Sequence, residues 1–212
     1  MIDMINQQVF HRVEIDWHVH IYPSYQFEDI FRSVLGRLKS SADLAVLVLT
    51  ERDDCSFYQD LCDDKLRLSE TFKIDRLSCG ILISNVQGSL LLMPGRQINT
   101  QEKIELLSLG SDQRIPSGLE TSHTIQQIQA NGALPVINWA PGKWFGQRGK
   151  LVETLLAKWS PQELSLCDTT LRTKLWPEPT LMKQERARGR KVFAGSDPLP
   201  FEGEEDLLGS YG

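Results

Sequence analysis

The sequence is poor in the features that mark several simple classes of protein. It has no apolar run that approaches the roughly 20 residues of a membrane helix, and its first residues lack the apolar centre of a signal peptide. Its four cysteines form no CxxC pair, which disfavours a disulfide scaffold at this length. With 23 Lys and Arg against 28 Asp and Glu, the net charge is −5, so the broad basic face of a nonspecific nucleic-acid binder is missing. These shortages predict a cytoplasmic protein whose partner is a small-molecule substrate rather than a nucleic acid or a membrane, and they leave the oligomeric state open.

What is present indicates a globular protein, since 41% of the residues are hydrophobic and strand-like and helix-like segments alternate along the chain. Leu44–Thr50 is almost wholly apolar, which is typical of a strand buried on both faces of a parallel sheet. Two apolar segments within Ile81–Met93 flank Asn85–Gly88, which predicts a hairpin. We therefore predict a single domain over residues 1–212 of the α/β class. It would be a TIM-barrel-like (β/α) barrel of about six or seven strands with the hairpin at its periphery.

The first predicted strand, Val13–Tyr22, carries polar side chains on one face only. Asp16, His18 and His20 alternate with apolar residues, and a spacing of two puts them on the same side of a strand. Other polar residues lie in later predicted strands or at their ends, namely Glu51, Glu105, Asn138, Asp168 and Asp197. In a parallel barrel the carboxyl ends of the strands share one rim, where active sites are built. Imidazoles and carboxylates gathered at this rim need a compensating cation, so the pattern predicts one divalent metal ion, Zn, Mn or Fe.

Each of these residues also has an ordinary structural explanation. A His-x-His pair in a strand often occurs without a metal. Asp168 and Asp197 could cap helices or form turns, and Glu51 could be a solvated loop charge. The apolar opposite face of the first strand favours the metal site, because in a barrel the polar face then points inward.

The loop from Trp139 to Gly149 follows a predicted strand and precedes a predicted helix. It contains two cations, three aromatic residues and three glycines. Lys143 and Arg148 lie beside free backbone N–H groups at the helix start, where they could hold an anion. The alternative is an aromatic lid whose cations point into solvent. The predicted ligand-binding residues at this rim are Asn138, Lys143, Trp144, Arg148 and Asp168.

Four segments resemble the motifs of a known enzyme family. Asp16-Trp17-His18-Val19-His20 looks like the opening D-x-H-x-H signature of the PHP superfamily of metal-dependent hydrolases and phosphoesterases. Residues 47–53, 131–138 and 194–197 are similar to later motifs in order and setting, and Glu105 occupies the place of the family's bridging glutamate. The resemblance implies a distorted (β/α)7 barrel with metal ions at the C-terminal rim. It also implies a closing C-terminal helix, which this chain lacks or has lost by truncation.

The chain departs from this family at three of the four motifs. Glu51-Arg52 stands where the family has Asp-His, Asn138-Trp139 where it has a His, and Asp197-Pro198-Leu199 where it has Asp-x-His. With four histidines in the whole chain, the family's multinuclear site cannot be assembled. What remains is one metal ion held by His18, His20 and carboxylates, or a degenerate site without a metal.

Two functions are consistent with these patterns. The first is a metal-dependent hydrolase that acts on a phosphorylated or otherwise anionic small molecule, with Asp197 or Glu51 as general base. Its predicted metal site consists of His18 and His20, completed by Asp197 or Glu105, with Asp16 as an orienting partner or weak ligand. The second is a catalytically degenerate barrel that serves as a small-molecule binding protein.

Overall fold

A computed structural model describes residues 10–172 and 176–209 of the chain. The described residues form ten strands in two five-stranded sheets, and each sheet has both parallel and antiparallel neighbours. The first sheet has the order β1-β2-β5-β4-β3 and contains β1 (Arg12–Val19), β2 (Asp43–Leu49), β3 (Lys73–Leu77), β4 (Gly80–Asn85) and β5 (Gly88–Met93). The second sheet has the order β10-β9-β8-β7-β6 and contains β6 (Gly95–Asn99), β7 (Glu105–Leu109), β8 (Leu134–Asn138), β9 (Ser165–Thr169) and β10 (Val192–Gly195).

Five α-helices accompany these sheets in the described part of the chain. They are α1 (Phe27–Arg37), α2 (Phe57–Cys62), α3 (Thr121–Ala130), α4 (Gln147–Lys158) and α5 (Thr180–Ala187), followed by a short 3-10 turn at Glu204–Leu207. Among the residues described, no helix combines the length and the apolarity that crossing a bilayer requires.

Three apolar clusters stack these elements in four layers. One cluster packs α1 on the outer face of the first sheet, and another packs α3, α4 and α5 on the second sheet. The third cluster lies between the two sheets. The apolar strand β2 serves two of these clusters, because its residues alternate between them. Val46 and Val48 face the second sheet, whereas Leu47 and Leu49 face α1, as expected for a strand buried on both sides.

The predicted (β/α)7 barrel is therefore wrong: the sheets face each other and do not close. Pairing is parallel among β1, β2 and β5 and among β8, β9 and β10, but it is antiparallel for the other neighbours. Strands β3 to β7 follow one another without an intervening helix, and the chain reverses direction from β3 to β4, from β4 to β5 and from β6 to β7. The hairpin around Asn85–Gly88 is present, but it is not peripheral, since β5 pairs with β2 inside the first sheet.

Besides packing face to face, the two sheets are joined by backbone hydrogen bonds along one line, which we call the seam. On one side of it β1 lies beside β10, where the Asp197 backbone N–H donates to the His18 carbonyl at 2.8 Å. A Cβ on Gly195 would come within 2.3 Å of the His18 Cβ, so only glycine permits this approach. On the other side the chain beyond β2 reaches β6. The Gln97 N–H donates to the Glu51 carbonyl at 3.0 Å.

Candidate metal centre

Four polar side chains converge at the seam. The Nε2 atoms of His18 and His20 are 3.1 Å apart. The Gln97 Oε1 atom lies 3.0 Å from the first of these nitrogens and 3.2 Å from the second. The Asp197 Oδ1 atom lies 3.4 and 3.5 Å from the same two nitrogens. We call these four residues the donor group.

Both sheets contribute to the donor group. His18 lies on β1 and His20 directly after it, and the pairing of β1 with β2 shifts in register between Asp16 and Val19. Gln97 comes from the middle of β6, and Asp197 follows the end of β10 with a left-handed backbone, φ 47°. That φ is uncommon for a residue with a side chain, and such conformations concentrate at functional sites.

The distances within the donor group match those of a small tetrahedral cation. An ion with bonds of about 2.0–2.1 Å to nitrogen and oxygen holds its ligands roughly 3.3 Å apart. The measured separations run from 3.0 to 3.5 Å. Two imidazoles and a carboxylate are ligands that zinc, manganese and iron accept. Within residues 10–172 and 176–209, the ligand atoms of His18, His20 and Asp197, all buried, cluster closely enough to hold such an ion.

A chain of hydrogen bonds fixes which nitrogen of His18 carries the proton. Lys143 Nζ lies 3.0 Å from the Glu105 carboxylate, which can therefore only accept. Glu105 accepts from Asn138 Nδ2 at 3.2 Å, so the amide oxygen of Asn138 faces the other way, 3.2 Å from His18 Nδ1. His18 must donate from Nδ1, and its Nε2 then presents a lone pair to the donor group.

The four side chains of the donor group consequently offer more hydrogen-bond acceptors than hydrogen-bond donors. His18 Nε2, Gln97 Oε1 and Asp197 Oδ1 all present lone pairs, and the one neighbouring His20 Nε2 can supply at most a single proton. Unpaired acceptors at a buried point are costly. A cation satisfies all four atoms together, so the chemistry of these side chains fits a bound metal ion.

Burial and charge set the protonation states of this group. Burial lowers the pKa of the His18 imidazole below its ordinary value, which favours the neutral form that a metal ligand needs. Burial by itself raises the pKa of Asp197, but the His18 and His20 rings and a hydrogen bond from the Asn138 side chain outweigh it. The pKa of Asp197 therefore lies below its ordinary value, which keeps it a carboxylate.

Two of the predicted metal ligands lie close to the donor group but do not enter it. Asp16 turns away, and its carboxylate accepts from the backbone N–H groups of Ser196 and Gly209, both at 2.9 Å. Asp16 thus ties β1 to the chain after β10, and burial raises its pKa despite these bonds. Glu105 reaches His18 only through Asn138. The expectation that Glu105 or Asp16 touches the ion finds no support in their contacts.

Glu51, predicted as a general base, is also occupied elsewhere. Its carboxylate accepts from the Tyr58 backbone N–H at 2.7 Å and lies 3.2 Å from the Arg96 guanidinium. Burial raises the pKa of Glu51 in spite of these partners. Its main chain does contribute, because it anchors Gln97 on the far side of the seam.

The predicted ligand-binding residues after β8 and β9 have partners within the chain. Lys143 is engaged by Glu105, and Trp144 Nε1 donates to the Asn138 carbonyl at 3.1 Å. Arg148 donates to the Gly142 carbonyl at 2.8 Å. Asp168 pairs with Arg172, with Nε to Oδ1 at 2.9 Å. Asn138 and Lys143 act toward the donor group, whereas the partners of Arg148 and Asp168 lie outside it.

Gln97 is the member of the donor group that the sequence did not predict. It lies on β6, a strand that is hard to recognise in the sequence because a single residue, Pro94, separates it from β5. Residues 95–99 read Gly-Arg-Gln-Ile-Asn, so no alternation of apolar and polar residues marks this strand in the sequence.

Comparison with known proteins adds to the fold and not to the chemistry. No protein-family model matches the chain, and no curated protein matches it either. The structure is similar to the crystal structure of PsfC from Pseudomonas syringae PB-5123, with a TM-score of 0.51 and 15% sequence identity. The similarity covers 87% of this chain and 75% of PsfC. At this identity it supports a shared arrangement of strands and helices alone.

Proposed function

We propose that this protein is a metal-dependent hydrolase of small molecules with one divalent ion at the donor group. The observation that carries the proposal is the convergence of His18, His20 and Asp197 around a point with surplus lone pairs. The resemblance of residues 16–20 to the opening motif of the PHP superfamily supports it, since both histidines of that motif enter the donor group.

The ion would be held by His18, His20 and Asp197. A divalent ion supplies Lewis acidity, which polarises a scissile bond and lowers the pKa of water. The Asn138 side chain keeps the His18 Nε2 lone pair available, and the Lys143–Glu105 ion pair keeps Asn138 oriented. Gln97 is half-buried, whereas the other three residues of the donor group are buried. Catalytic sites with three protein ligands keep a fourth coordination position open, and Gln97 lies where that position would be. A neutral amide oxygen is the easiest of the four metal-binding atoms to displace, so a reactant would reach the ion by displacing Gln97.

A second candidate function rests on the same residue. If Gln97 stays bound, four protein ligands close the site, which is typical of structural ions. The protein would then be a non-catalytic small-molecule binding protein, in which the ion ties the two sheets together. The position of Gln97 Oε1 within 3.2 Å of both imidazoles favours this reading.

Metal analysis of tag-free protein tests the proposal. We expect one equivalent of zinc, manganese or iron in the parent and none in the His18→Ala, His20→Ala variant. His123→Ala is the matched control, because this histidine is exposed on α3 and bonds only Gln127 among the described residues. Metal of unchanged stoichiometry in the double variant would refute the site. The Gln97→Ala variant then separates the two functions: a catalytic site retains its ion, whereas a closed structural site loses affinity.

The cellular setting belongs to the same proposal. The four cysteines are free thiols, as expected in the reducing cytoplasm. The net charge of −5 supports a small-molecule partner over a nucleic acid. Lys143 and Arg148, the cations expected to attract an anionic substrate, are already engaged within the chain. The choice of substrate therefore has to be argued from another part of the molecule.

A further inference from the structure

A cavity of about 460 Å³ opens beside the donor group. It lies between the loop after β1 and the loop after β2, at the carboxyl ends of two parallel strands, where ligands of open α/β sheets bind. Its size is in the range of small-molecule sites. Tyr22 forms the wall toward the donor group. The Tyr22 ring is 5.6 Å from the His20 ring and 5.4 Å from the Tyr25 ring.

Most of the residues that line this cavity are aromatic or aliphatic. They include Ile21, Tyr22, Phe27, Phe57 and Leu66, beside the polar Gln26 and Ser56, and the centroids of the Phe27 and Phe57 rings are 5.4 Å apart. Such walls bind flat or cyclic apolar groups through burial and ring contacts.

The charges of the lining select against anions. Asp54 and Asp60 are its charged residues, and among the residues that the structure describes no Lys, Arg or His lines it. Both carboxylates are paired on their outer sides, Asp54 with Arg52 and Asp60 with Lys65, so they are no strong attractant for a cation. An anionic ligand would lose hydration and face both carboxylates. The neighbouring cation, the Arg52 guanidinium beside the Tyr22 hydroxyl, is already paired with Asp54.

We propose that this cavity binds an uncharged aromatic or cyclic apolar group, and that the substrate presents this group while its polar end reaches the donor group. The second half rests on the proposed function, whereas the first half stands without any metal. The Tyr22 ring, 5.6 Å from the His20 ring, stands between the cavity and the donor group, so the link between the two ends of the substrate would have to pass this side chain.

The first test uses three aromatic probes of similar size and different charge: benzyl alcohol, benzoate and benzylamine. Saturation-transfer NMR on metal-free protein measures their binding. We expect benzyl alcohol to bind in the millimolar range and benzoate about tenfold more weakly or not at all. Gln26→Trp fills the cavity from its exposed rim and should abolish binding. Leu66→Trp fills it from the opposite wall. Gln87→Trp, in the exposed turn between β4 and β5, is the matched control and should change nothing.

The second test links the cavity to the metal. On zinc-loaded protein, phenylacetohydroxamic acid should bind at least about tenfold more tightly than acetohydroxamic acid, which lacks the ring. Gln26→Trp should erase that difference and Gln87→Trp should keep it. Benzoate binding as tightly as benzyl alcohol, or undiminished binding in both filled variants, would overturn the cavity's chemistry. If benzyl alcohol bound normally but zinc-loaded protein bound phenylacetohydroxamic acid no more tightly than acetohydroxamic acid, the proposal that the substrate spans the cavity and the donor group would be refuted. A chain that binds benzyl alcohol but no zinc would refute the proposed function and leave the cavity assignment intact.

Discussion

Replacing Asn138 by Ala should weaken metal binding, although the substitution leaves every proposed metal ligand in place. Asn138 is 1% exposed, and its amide joins His18 Nδ1 to the Glu105 carboxylate, with 3.2 Å on each side. Without it, His18 is free to place its proton on Nε2, where it competes directly with the ion. Partners of this kind contribute about 10–100-fold in metal affinity, which corresponds to roughly 1.4–2.7 kcal/mol.

Two measurements follow this change in different ways. Titration with zinc against a chromophoric chelator gives the affinity, which should fall by the factor stated above. Long-range proton–nitrogen NMR of the metal-free protein reports the tautomer, which should be Nδ1–H in the parent and mixed in Asn138→Ala. The tautomer shift distinguishes a positioning role from a general loss of packing, which would leave the His18 proton where it is.

The matched control is Asn99→Ala, which makes the same truncation at an exposed position on β6. It should alter neither the zinc affinity nor the His18 tautomer. If Asn138→Ala bound zinc within twofold of the parent and kept a pure Nδ1–H tautomer, the chain of hydrogen bonds from Lys143 to His18 would have no bearing on the site.

Three further predictions concern the frame around the site. Arg190 is 3% exposed and donates to four backbone carbonyls and to the buried Glu185 carboxylate. Arg190→Met should therefore lower the free energy of unfolding, measured in urea, by about 3–5 kcal/mol. Arg188→Met, which removes an exposed cation from the same carboxylate, should lower it by less than about 1 kcal/mol. Equal losses would contradict this reasoning. Gly195→Ala should force β10 away from His18, lowering stability by about 1–3 kcal/mol and zinc affinity as well, and unchanged zinc affinity would refute the close approach. Burial raises the pKa of the Cys167 thiol well above its ordinary value, so native protein at pH 8 should react with a thiol reagent at exposed Cys79 first and at Cys167 only after unfolding; early labelling of Cys167, read by peptide mass, would argue against its burial.

Local patterns in the sequence identified the parts of the site that depend on one strand. The alternation around His18 and His20 predicted a buried polar face, and both imidazoles are buried there. The wholly apolar run of β2 predicted cover on both faces, which α1 and the second sheet provide. These predictions succeeded because spacing along a strand fixes the side to which each residue points.

The direction of strand pairing could not be read in the same way. A helix between two strands usually signals a parallel crossover, yet β7 and β8 run antiparallel with α3 between them. The place of Gln97 in the donor group could not be predicted for the same reason, because its neighbours across the seam come from strands far away in sequence. Which residues meet across two sheets is decided by packing between β1 and β10 and between Glu51 and β6, and no periodicity along one strand records it.

The origin of the donor group in two sheets has a mechanical consequence. His18 and Asp197 are separated by most of the chain, so an ion bound to both would act as a reversible cross-link that closes a very long loop. Binding of that ion would be indivisible from docking of one sheet on the other, and its free energy would add directly to the stability of the assembled fold. Removal of the ion by a chelator would then act at a distance, loosening the contact of β10 with β1 and, through Tyr22, the wall of the neighbouring cavity.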